Sequence, residues 1–229
     1  MKLPGRITAA IEILDDFESR RVPLKTAIAD WGRNNRYAGS KDRAWISGLC
    51  LDVLRRRQSL AQTMQSDGSR ALVLGALHCL WNVEVNELAT AVVEEHGPGA
   101  LNEGEIQALQ SAKIPVSEPL SGDFPEWLSP NIERVFGNRA KAIMSRFAER
   151  ADIDLRLNTL KADTEKSLKA LKPVRANTVA PLKTAARIAA PDPSEKAPGV
   201  TVIPAFNKGW VEVQDLGSQI AAAAAGDIN

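Results

Sequence analysis

The sequence predicts two domains: an all-helical bundle over residues 1–150 and a small α+β domain over residues 151–229. Through the first 150 residues, apolar side chains recur three and four positions apart, which is the spacing of helices that bury one face. Four prolines between Pro115 and Pro130 then interrupt this pattern and indicate a surface stretch. At Asp152 the period changes to the two-residue alternation of a strand, which marks the second domain.

The first domain is predicted as a succession of helices. The first keeps an apolar face from Ile7 to Phe17, and the second begins at Pro23, whose fixed φ suits a first helical turn. Ser40 is predicted to cap a third helix, and residues 71–80 are apolar on nearly all sides, as in a buried central helix. Further helices are predicted over residues 84–95, from Asn102 through Leu109, within FPEWLSPNIERVFG, where Trp127 is expected to pack, and over residues 140–150.

The second domain is predicted to begin with a strand, IDLRLNTLK, with Leu155 and Leu157 inward and Arg156 and Asn158 outward. A helix over DTEKSLKALK follows and stops at Pro173. Three short strands are predicted at residues 177–180, 185–189 and 200–203, with the loop PDPSEKAPG between the last two. A closing strand in GWVEV leads into an alanine-rich helix, whose terminal glycine is typical of a C-cap that hands the chain to another element.

Composition and charge place the chain among globular proteins, with 44% hydrophobic and 25% charged residues. No apolar run approaches the ~18–20 residues of a membrane span, and no signal peptide is recognised at the N-terminus. Cys50 and Cys79 lie in apolar helical patterns without metal or redox spacing, which indicates reduced core residues of a cytoplasmic protein. The net charge of +1 conceals segments of +5 (residues 1–60), −7 (61–140) and +3 (141–229), so a localised phosphate-binding face is compatible with the neutral total.

No catalytic constellation is recognised in the sequence. His78 lies in the apolar central helix, where a hydrogen-bonded core histidine is favoured over a ligand, and His96 stands beside a Gly-Pro-Gly turn. The metalloprotease, esterase, P-loop and dinucleotide-binding motifs are absent from the sequence, and no metal site is predicted. Taken by themselves, the residues therefore predict a binding protein rather than an enzyme.

Three groups of residues are candidates for contact with RNA phosphates. Each group also has a plainer interpretation. The arginines at the end of the third helix can complement the helix dipole or aid solubility, and Trp45 can be a core residue. The residues of the strand IDLRLNTLK can stabilise the fold. The candidates are Arg33, Arg36, Lys41 and Arg43 around Tyr37 and Trp45, then Arg55, Arg56 and Arg57 at the end of the third helix, and then Arg156, Asn158 and Lys161.

Three segments resemble the RsmB/NOP family of RNA cytosine-C5 methyltransferases. DLRLNTLK at residues 154–161 is similar to the LRxNTLK signature of the family, and FPEWL at residues 124–128 is similar to its PxWL segment. FNKGWVEVQDLGSQIAA resembles the G-x-x-x-x-QD-x-x-SQ segment, which falls here on Gly209, Gln214, Asp215, Ser218 and Gln219. The helical part, with LRRR at the end of its third helix, is similar to the NusB-like RNA-binding domain of bacterial members.

The resemblance implies an all-α NusB-like bundle followed by a small ferredoxin/RRM-like α+β domain. In the family a Rossmann-like domain then binds S-adenosylmethionine and carries two catalytic cysteines. The resemblance implies that the cofactor site and these cysteines lie beyond Asn229. The resemblance therefore implies that this chain positions RNA, ribosomal RNA first of all, for the parent methyltransferase, without catalysis or S-adenosylmethionine binding of its own. Neither a membrane nor DNA is an expected partner.

The resemblance leaves the closing helix with two interpretations. Gln214, Asp215, Ser218 and Gln219 would lie next to the cofactor site of the intact protein, or Asp215 caps the helix and the others are structural. A standalone NusB-like RNA- or protein-binding module is the alternative function, although it leaves the LRLNTLK and QDLGSQ segments without a purpose. A degenerate family member without a catalytic domain is the third interpretation, and ribosomal and transfer RNA both fit as targets.

Overall fold

The computed structural model describes residues 1–112, 123–192, 195 and 199–226, which form two compact units. The helical unit is Met1–Glu149, and the mixed unit comprises the described residues of Arg150–Pro191 and of 199–226. The predicted fold class, a helical bundle followed by a small α+β domain, is confirmed. Pro115, Pro119 and the greater part of the predicted loop PDPSEKAPG lie outside the described residues.

The helical unit is built around its fifth helix. Its helices are α1 (Leu3–Arg20), α2 (Leu24–Asn34), α3 (Ser40–Arg55), α4 (Arg57–Met64), α5 (Ser69–Cys79), α6 (Val85–Ala91), α7 (Glu103–Ser111), α8 (Ser129–Phe136) and α9 (Ala140–Phe147). Every residue of α5 except Arg70 is buried, and α5 packs against α1, α3, α4 and α7, as its all-round apolar pattern predicted. Within the described chain, no helix is both long enough and apolar enough to cross a bilayer.

The first helix follows the predicted apolar stripe. Ile7, Ala10 and Leu14 are buried at the spacing of one helical face, and each large side chain contributes about 1.5–3 kcal/mol by leaving water. Trp45 packs on the same core and meets Trp81 edge to face, with 4.8 Å between the ring centres. Trp45 therefore has the core position that was its plainer interpretation.

Of two predicted helix starts, the one at Asn102 is confirmed and the cap predicted at Ser40 is wrong. Asn102 begins α7 with a capping box, because its Oδ1 accepts from the Glu105 N–H at 2.8 Å and Glu105 accepts from the Asn102 N–H at 3.0 Å. At α3 the N-cap is Gly39 rather than Ser40. The carboxylate of Asp42, at the third helical position, accepts from the Gly39 N–H at 3.3 Å, which is the N3 half of a capping box and not the bond that a serine N-cap hydroxyl would make.

The mixed unit is a four-stranded antiparallel sheet with helices between its strands. The strands are β1 (Ile153–Leu157), β2 (Asn177–Thr178), β3 (Ala185–Ile188) and β4 (Val211–Val213), and the helices are α10 (Thr164–Leu171), α11 (Pro204–Asn207) and α12 (Leu216–Ala224). The strand order β2-β3-β1-β4 and the β-α-β-β-α-β sequence of elements are those of a ferredoxin-like fold.

The central strand β1 confirms the predicted alternation. Leu155 lies opposite Ala186 of β3 and opposite Val213 of β4, and both Leu155 and Leu157 are buried. Their side chains share a core with Leu171 of α10 and with the inward residues of β3 and β4. The outward positions of β1, Asp154 and Arg156, are half-buried and are available for ionic contacts with neighbouring elements.

Two local predictions are wrong. Residues 200–203 form no strand: Val200–Val202 is a 3-10 turn that leads into α11. Pro204 stands at the first position of that helix, which its fixed φ suits. Val200 and Ile203 are buried without strand pairing. Their β-branched side chains fit a packed surface and do not by themselves require a strand. Trp127, expected to pack, is 73% exposed, because Glu126–Leu128 is a single 3-10 turn that presents no continuous apolar face.

Candidate nucleic-acid interface

Arg156 and Asn158, two of the candidates for RNA contact, already have protein partners. Arg156 forms an ion pair with Glu212, which lies opposite it on β4. Asn158 fixes the turn before β4, because its Nδ2 donates to the Gly209 carbonyl at 3.1 Å and its backbone N–H donates to the Trp210 carbonyl at 2.8 Å. Asn158 thus has a fold-stabilising role, the plainer of its two interpretations, while its contact with RNA stays a prediction.

Lys161, the third candidate of the mixed unit, lies beside two lysines that the sequence analysis did not single out. Lys166 of α10 and Lys208 before β4 place their Nζ atoms 4.6 Å and 4.9 Å from the centre of the Trp210 indole. Lys161 reaches the same turn, since its Nζ lies 3.0 Å from the position that a Cβ would take on Gly209. These three lysines and Trp210 are called the lysine–Trp210 cluster.

The three lysines of this cluster are exposed, and no carboxylate among the described residues forms an ion pair with them. The ion pairs seen in the described part of the mixed unit's sheet use arginines: Arg156 with Glu212, and Arg187 with Asp152 and Asp154. An ammonium over an indole at an exposed site gains about 0.5–1 kcal/mol, which holds the side chain without cancelling its charge. No sequence signal could have revealed this grouping, because Lys166 and Lys208 are far apart in the chain and meet only through the fold.

Asp154 connects two of the three segments that carried the family resemblance, DLRLNTLK and the segment that contains QDLGSQ. Its Oδ1 accepts from Arg187 Nε at 2.6 Å, and its Oδ2 accepts from Arg187 Nη2 and from the Leu216 N–H, both at 3.0 Å. The hydrogen bond from Arg187 is the main reason that the pKa of Asp154 lies below its usual value. Asp154 therefore ties β1 to β3 and to the start of α12, a role that the alternation pattern alone did not reveal.

The residues of the QDLGSQ segment make local structural contacts. Asp215 caps α12, since its Oδ1 accepts from the Ser218 N–H at 3.0 Å, which confirms the capping role that the sequence allowed. Gln219 is buried and donates from Nε2 to the Gln214 carbonyl at 2.8 Å. Placement of these four residues near a cofactor in the intact protein stays a prediction.

The arginine triplet of the helical unit is paired inside the chain. Arg56 is only 8% exposed. Its guanidinium therefore does not lie at the surface, although contact with RNA phosphates would require it to. The carboxylate of Asp123, which faces Arg56, also accepts hydrogen bonds from the Ser59 N–H and the Ser59 hydroxyl, both at 2.8 Å. Each arginine has an acidic partner: Arg55 with Asp52 (3.0 Å), Arg56 with Asp123 (3.6 Å) and Arg57 with Glu18.

The remaining candidates divide into engaged and exposed cations. Arg43 donates to the carbonyls of Gly32 at 2.6 Å and Ala38 at 2.8 Å, which satisfies backbone acceptors around the end of α2. Arg33 is exposed and forms an ion pair with Asp30. Arg36 and Lys41 are exposed at either side of Tyr37, whose ring is 70% exposed. Within the described residues, Arg36 and Lys41 are thus the cations of the predicted group that are exposed and form no ion pair, whereas Arg33 is exposed but paired.

The histidine and cysteine predictions are confirmed as core positions. His78 is buried with its Nδ1 2.9 Å from the Val83 carbonyl oxygen. Cys50 and Cys79 are buried free thiols, and burial raises their pKa values to about 12 and about 11. Neither thiol is ionised near neutrality, so neither has the character of a catalytic nucleophile.

The described residues were compared with two kinds of site, a cluster of metal ligands and a glycine-rich cofactor loop. Over the described ranges, no group of three or more His, Cys, Asp or Glu side chains is placed to hold a metal ion. In the same ranges no strand runs into a glycine-rich loop of the kind that binds the cofactor in Rossmann-like domains. The exposed cations described above are the feature of these units that a functional proposal can use.

Comparisons with known proteins show which family the chain resembles. Residues 124–193 match the family described as "Methyltr_RsmF/B-like, ferredoxin-like domain", which covers the segment before β1 and most of the sheet. This match and the relatives below confirm the resemblance of the chain to the N-terminal part of the RsmB/NOP methyltransferase family.

The relatives carry the name ribosomal RNA small subunit methyltransferase B. The protein of Shewanella oneidensis is 26% identical over 239 residues, which is 95% of this chain and 54% of that protein. The Pectobacterium carotovorum protein is 26% identical over 81% of this chain and 48% of its own length, and the Photorhabdus laumondii protein is 28% identical over 53% and 27%. The chain thus spans about half, or less, of the curated relatives it matches.

The fold is also seen in a solved structure. The crystal structure of PH0851 superimposes with a TM-score of 0.54 and 16% sequence identity, and the match covers 98% of this chain and 56% of that one. At this identity the likeness shows the fold alone.

Proposed function

We propose that this chain is the RNA-binding part of an S-adenosylmethionine-dependent rRNA (cytosine-C5) methyltransferase of the cytoplasm. The observation that carries the proposal is the ferredoxin-like unit, which matches the RsmF/B-like family and whose strand β1 carries the first half of DLRLNTLK. The names of the relatives that match 81% and 95% of the chain support methyl transfer to ribosomal RNA, and the cytosine-C5 position is proposed from the resemblance of the motif segments.

The chain contributes binding rather than chemistry. Methylation at C5 of cytosine uses a cysteine nucleophile and a base held out of its stack. Cys50 and Cys79 are buried with raised pKa values, which does not suit a reactive thiolate. The relatives are about twice as long as this chain, so the methyl transfer is proposed for the whole protein that contains it.

The role proposed for the chain is to hold RNA through its phosphates. The exposed cations are lysines and arginines on both units, and such contacts give affinity without reading sequence. The 229-residue chain is expected to bind a fluorescein-labelled RNA hairpin with an affinity that falls steadily as salt rises. It is also expected not to bind S-adenosylmethionine in a calorimetric titration at micromolar concentrations.

Deletion of the gene tests the proposed reaction. Bisulfite sequencing of small-subunit rRNA from the deletion strain is expected to show the loss of a 5-methylcytosine that the parent strain contains, and re-introduction of the gene is expected to restore it. An unchanged methylation pattern would reject the methyltransferase assignment. If RNA binding by the chain persisted in that case, the standalone binding module would become the better interpretation.

A further inference from the structure

The lysine–Trp210 cluster brings three positive charges together from three separate elements. Lys161 lies in the loop after β1, Lys166 in α10 and Lys208 in the turn before β4. Like charges repel at short range, and the described residues supply no carboxylate partner for any of the three lysines. The indole of Trp210 offsets part of the repulsion for two of them, and an anion bound among the three would relieve the rest.

The cluster is attached to a rigid part of the mixed unit. Trp210 is half-buried and packs against the core that contains Leu155. Its backbone N–H donates to the Ala205 carbonyl at 2.9 Å, and its carbonyl accepts from the Asn158 N–H at 2.8 Å. Since the ring that holds Lys166 and Lys208 is fixed by the fold, these ammonium groups lose less freedom on binding a ligand than unsupported surface lysines do.

The chemistry of the cluster fits the phosphates of a nucleic-acid backbone. Lysine binds a phosphate as a point charge, without the paired hydrogen bonds by which arginine recognises a base edge. Leu160, next to Lys161, is 96% exposed, so an apolar side chain stands beside the cations. Bases are open to such contact in single-stranded RNA, whereas in a duplex they are stacked and paired.

We propose that the lysine–Trp210 cluster binds consecutive phosphates of a single-stranded stretch of RNA, with Leu160 against a neighbouring base. This inference rests on the proposed RNA-binding function and assigns it a site. It adds Lys166, Lys208, Trp210 and Leu160 to the earlier candidate Lys161. The site lies entirely within the mixed unit.

A matched pair of triple variants tests this site. Lys161→Ala/Lys166→Ala/Lys208→Ala removes the cluster, and Lys169→Ala/Lys172→Ala/Lys183→Ala removes three exposed lysines of the same unit that do not contact Trp210. Fluorescence anisotropy is measured with a labelled single-stranded RNA and with a fully paired duplex of the same sequence, between 50 and 200 mM salt. Circular dichroism and thermal unfolding check that both variants are folded, as expected from the exposure of all six side chains.

The cluster variant is expected to bind the single strand at least tenfold more weakly than the wild type at 50 mM salt. Its log–log salt slope is expected to be shallower by about 0.7 for each phosphate that no longer pairs with a lysine, or roughly two when all three lysines are replaced. The control variant is expected to stay within about twofold, because its lysines make no contact with Trp210 and are not held in place by the ring. Leu160→Ser is expected to weaken single-strand binding about threefold and to leave duplex binding unchanged.

The outcomes separate this inference from the proposed function. If the wild type binds RNA and both triple variants lose affinity equally, the cluster is not a site, and the general RNA-binding function stands. If the cluster variant loses duplex and single-strand binding alike, the assignment to single-stranded RNA is overturned. If the wild type binds neither RNA at 50 mM salt, the inference and the proposed function both fail.

Discussion

The two units use their cations in opposite ways. In the helical unit, Arg55, Arg56 and Arg57 each face a carboxylate. In the mixed unit, the three lysines of the lysine–Trp210 cluster face an indole, a glycine and solvent. The sequence presents the arginines as the more conspicuous basic feature, yet the structure neutralises them and leaves the scattered lysines available. A run of basic residues therefore identifies cations but not which of them a ligand can reach.

The chemistry of the two side chains explains the difference. Guanidinium is planar and weakly hydrated, so it is suited to buried pairing with carboxylates, as Arg56 shows. Ammonium is compact and strongly hydrated, so a lysine keeps its charge in water while its stem packs on apolar surface. The following predictions test this contrast, beginning with the largest expected effect.

Arg56→Ala is expected to destabilise the helical unit by about 3–5 kcal/mol, because it leaves the buried carboxylate of Asp123 without its cation. Arg57→Ala is the matched control, since the half-exposed pair with Glu18 is expected to contribute less than about 1 kcal/mol. Urea unfolding followed by circular dichroism measures both. Equal and small effects would show that Arg56 is not a structural residue and would return it to the RNA-binding candidates.

Asp154→Asn is expected to destabilise the mixed unit by about 1.5–3 kcal/mol, because Arg187 loses the charged acceptor of two hydrogen bonds. The pKa of Asp154 in the folded chain lies below its unfolded value. The carboxylate therefore stabilises the fold fully above the unfolded pKa, and this stabilisation is lost as the pH falls through the folded pKa.

Urea unfolding of the wild type and of Asp154→Asn across pH 7 to 2 checks this linkage. The advantage of the wild type is expected to be constant near neutrality and to shrink only in acid. An advantage that persists unchanged at pH 2 would mean that the charge of Asp154 is not what ties β1 to its neighbours.

Gly209→Ala is expected to cost about 1–2 kcal/mol of stability, because residue 209 has a φ of 66°, in the left-handed region that disfavours a Cβ. The added methyl group would also stand 3.0 Å from the Lys161 ammonium and displace it from the cluster. Thermal unfolding measures the first effect, and weaker binding of single-stranded RNA measures the second. Gly199→Ala is the control, since the Cβ added there makes ordinary contacts in the same unit.

Sequence patterns predicted the elements and missed the connections between them. The periodicity of β1, the buried α5 and the cap at Asp215 depend on neighbours within a few residues, so they were visible in the sequence. The Asp154–Arg187 pair and the lysine–Trp210 cluster join residues that are distant in the chain. Their partners are set by strand order, which local patterns do not contain. The strand predicted at 200–203 was wrong for the converse reason, since its composition reflected burial rather than pairing.

The smallest expected effect is a difference in RNA affinity between two double variants of the helical unit. Arg55→Ala/Arg57→Ala removes two arginines that face carboxylates, while Arg36→Ala/Lys41→Ala removes two exposed cations beside Tyr37. Both variants lose two positive charges. The charge of an arginine that is paired with a carboxylate is largely cancelled at the distance of a bound RNA. Arg55→Ala/Arg57→Ala is therefore expected to weaken RNA binding less than about twofold, and Arg36→Ala/Lys41→Ala about threefold. Anisotropy at 50 mM salt resolves this difference. A larger loss from Arg55→Ala/Arg57→Ala would show that RNA displaces the carboxylates and that the arginine triplet is a binding site after all.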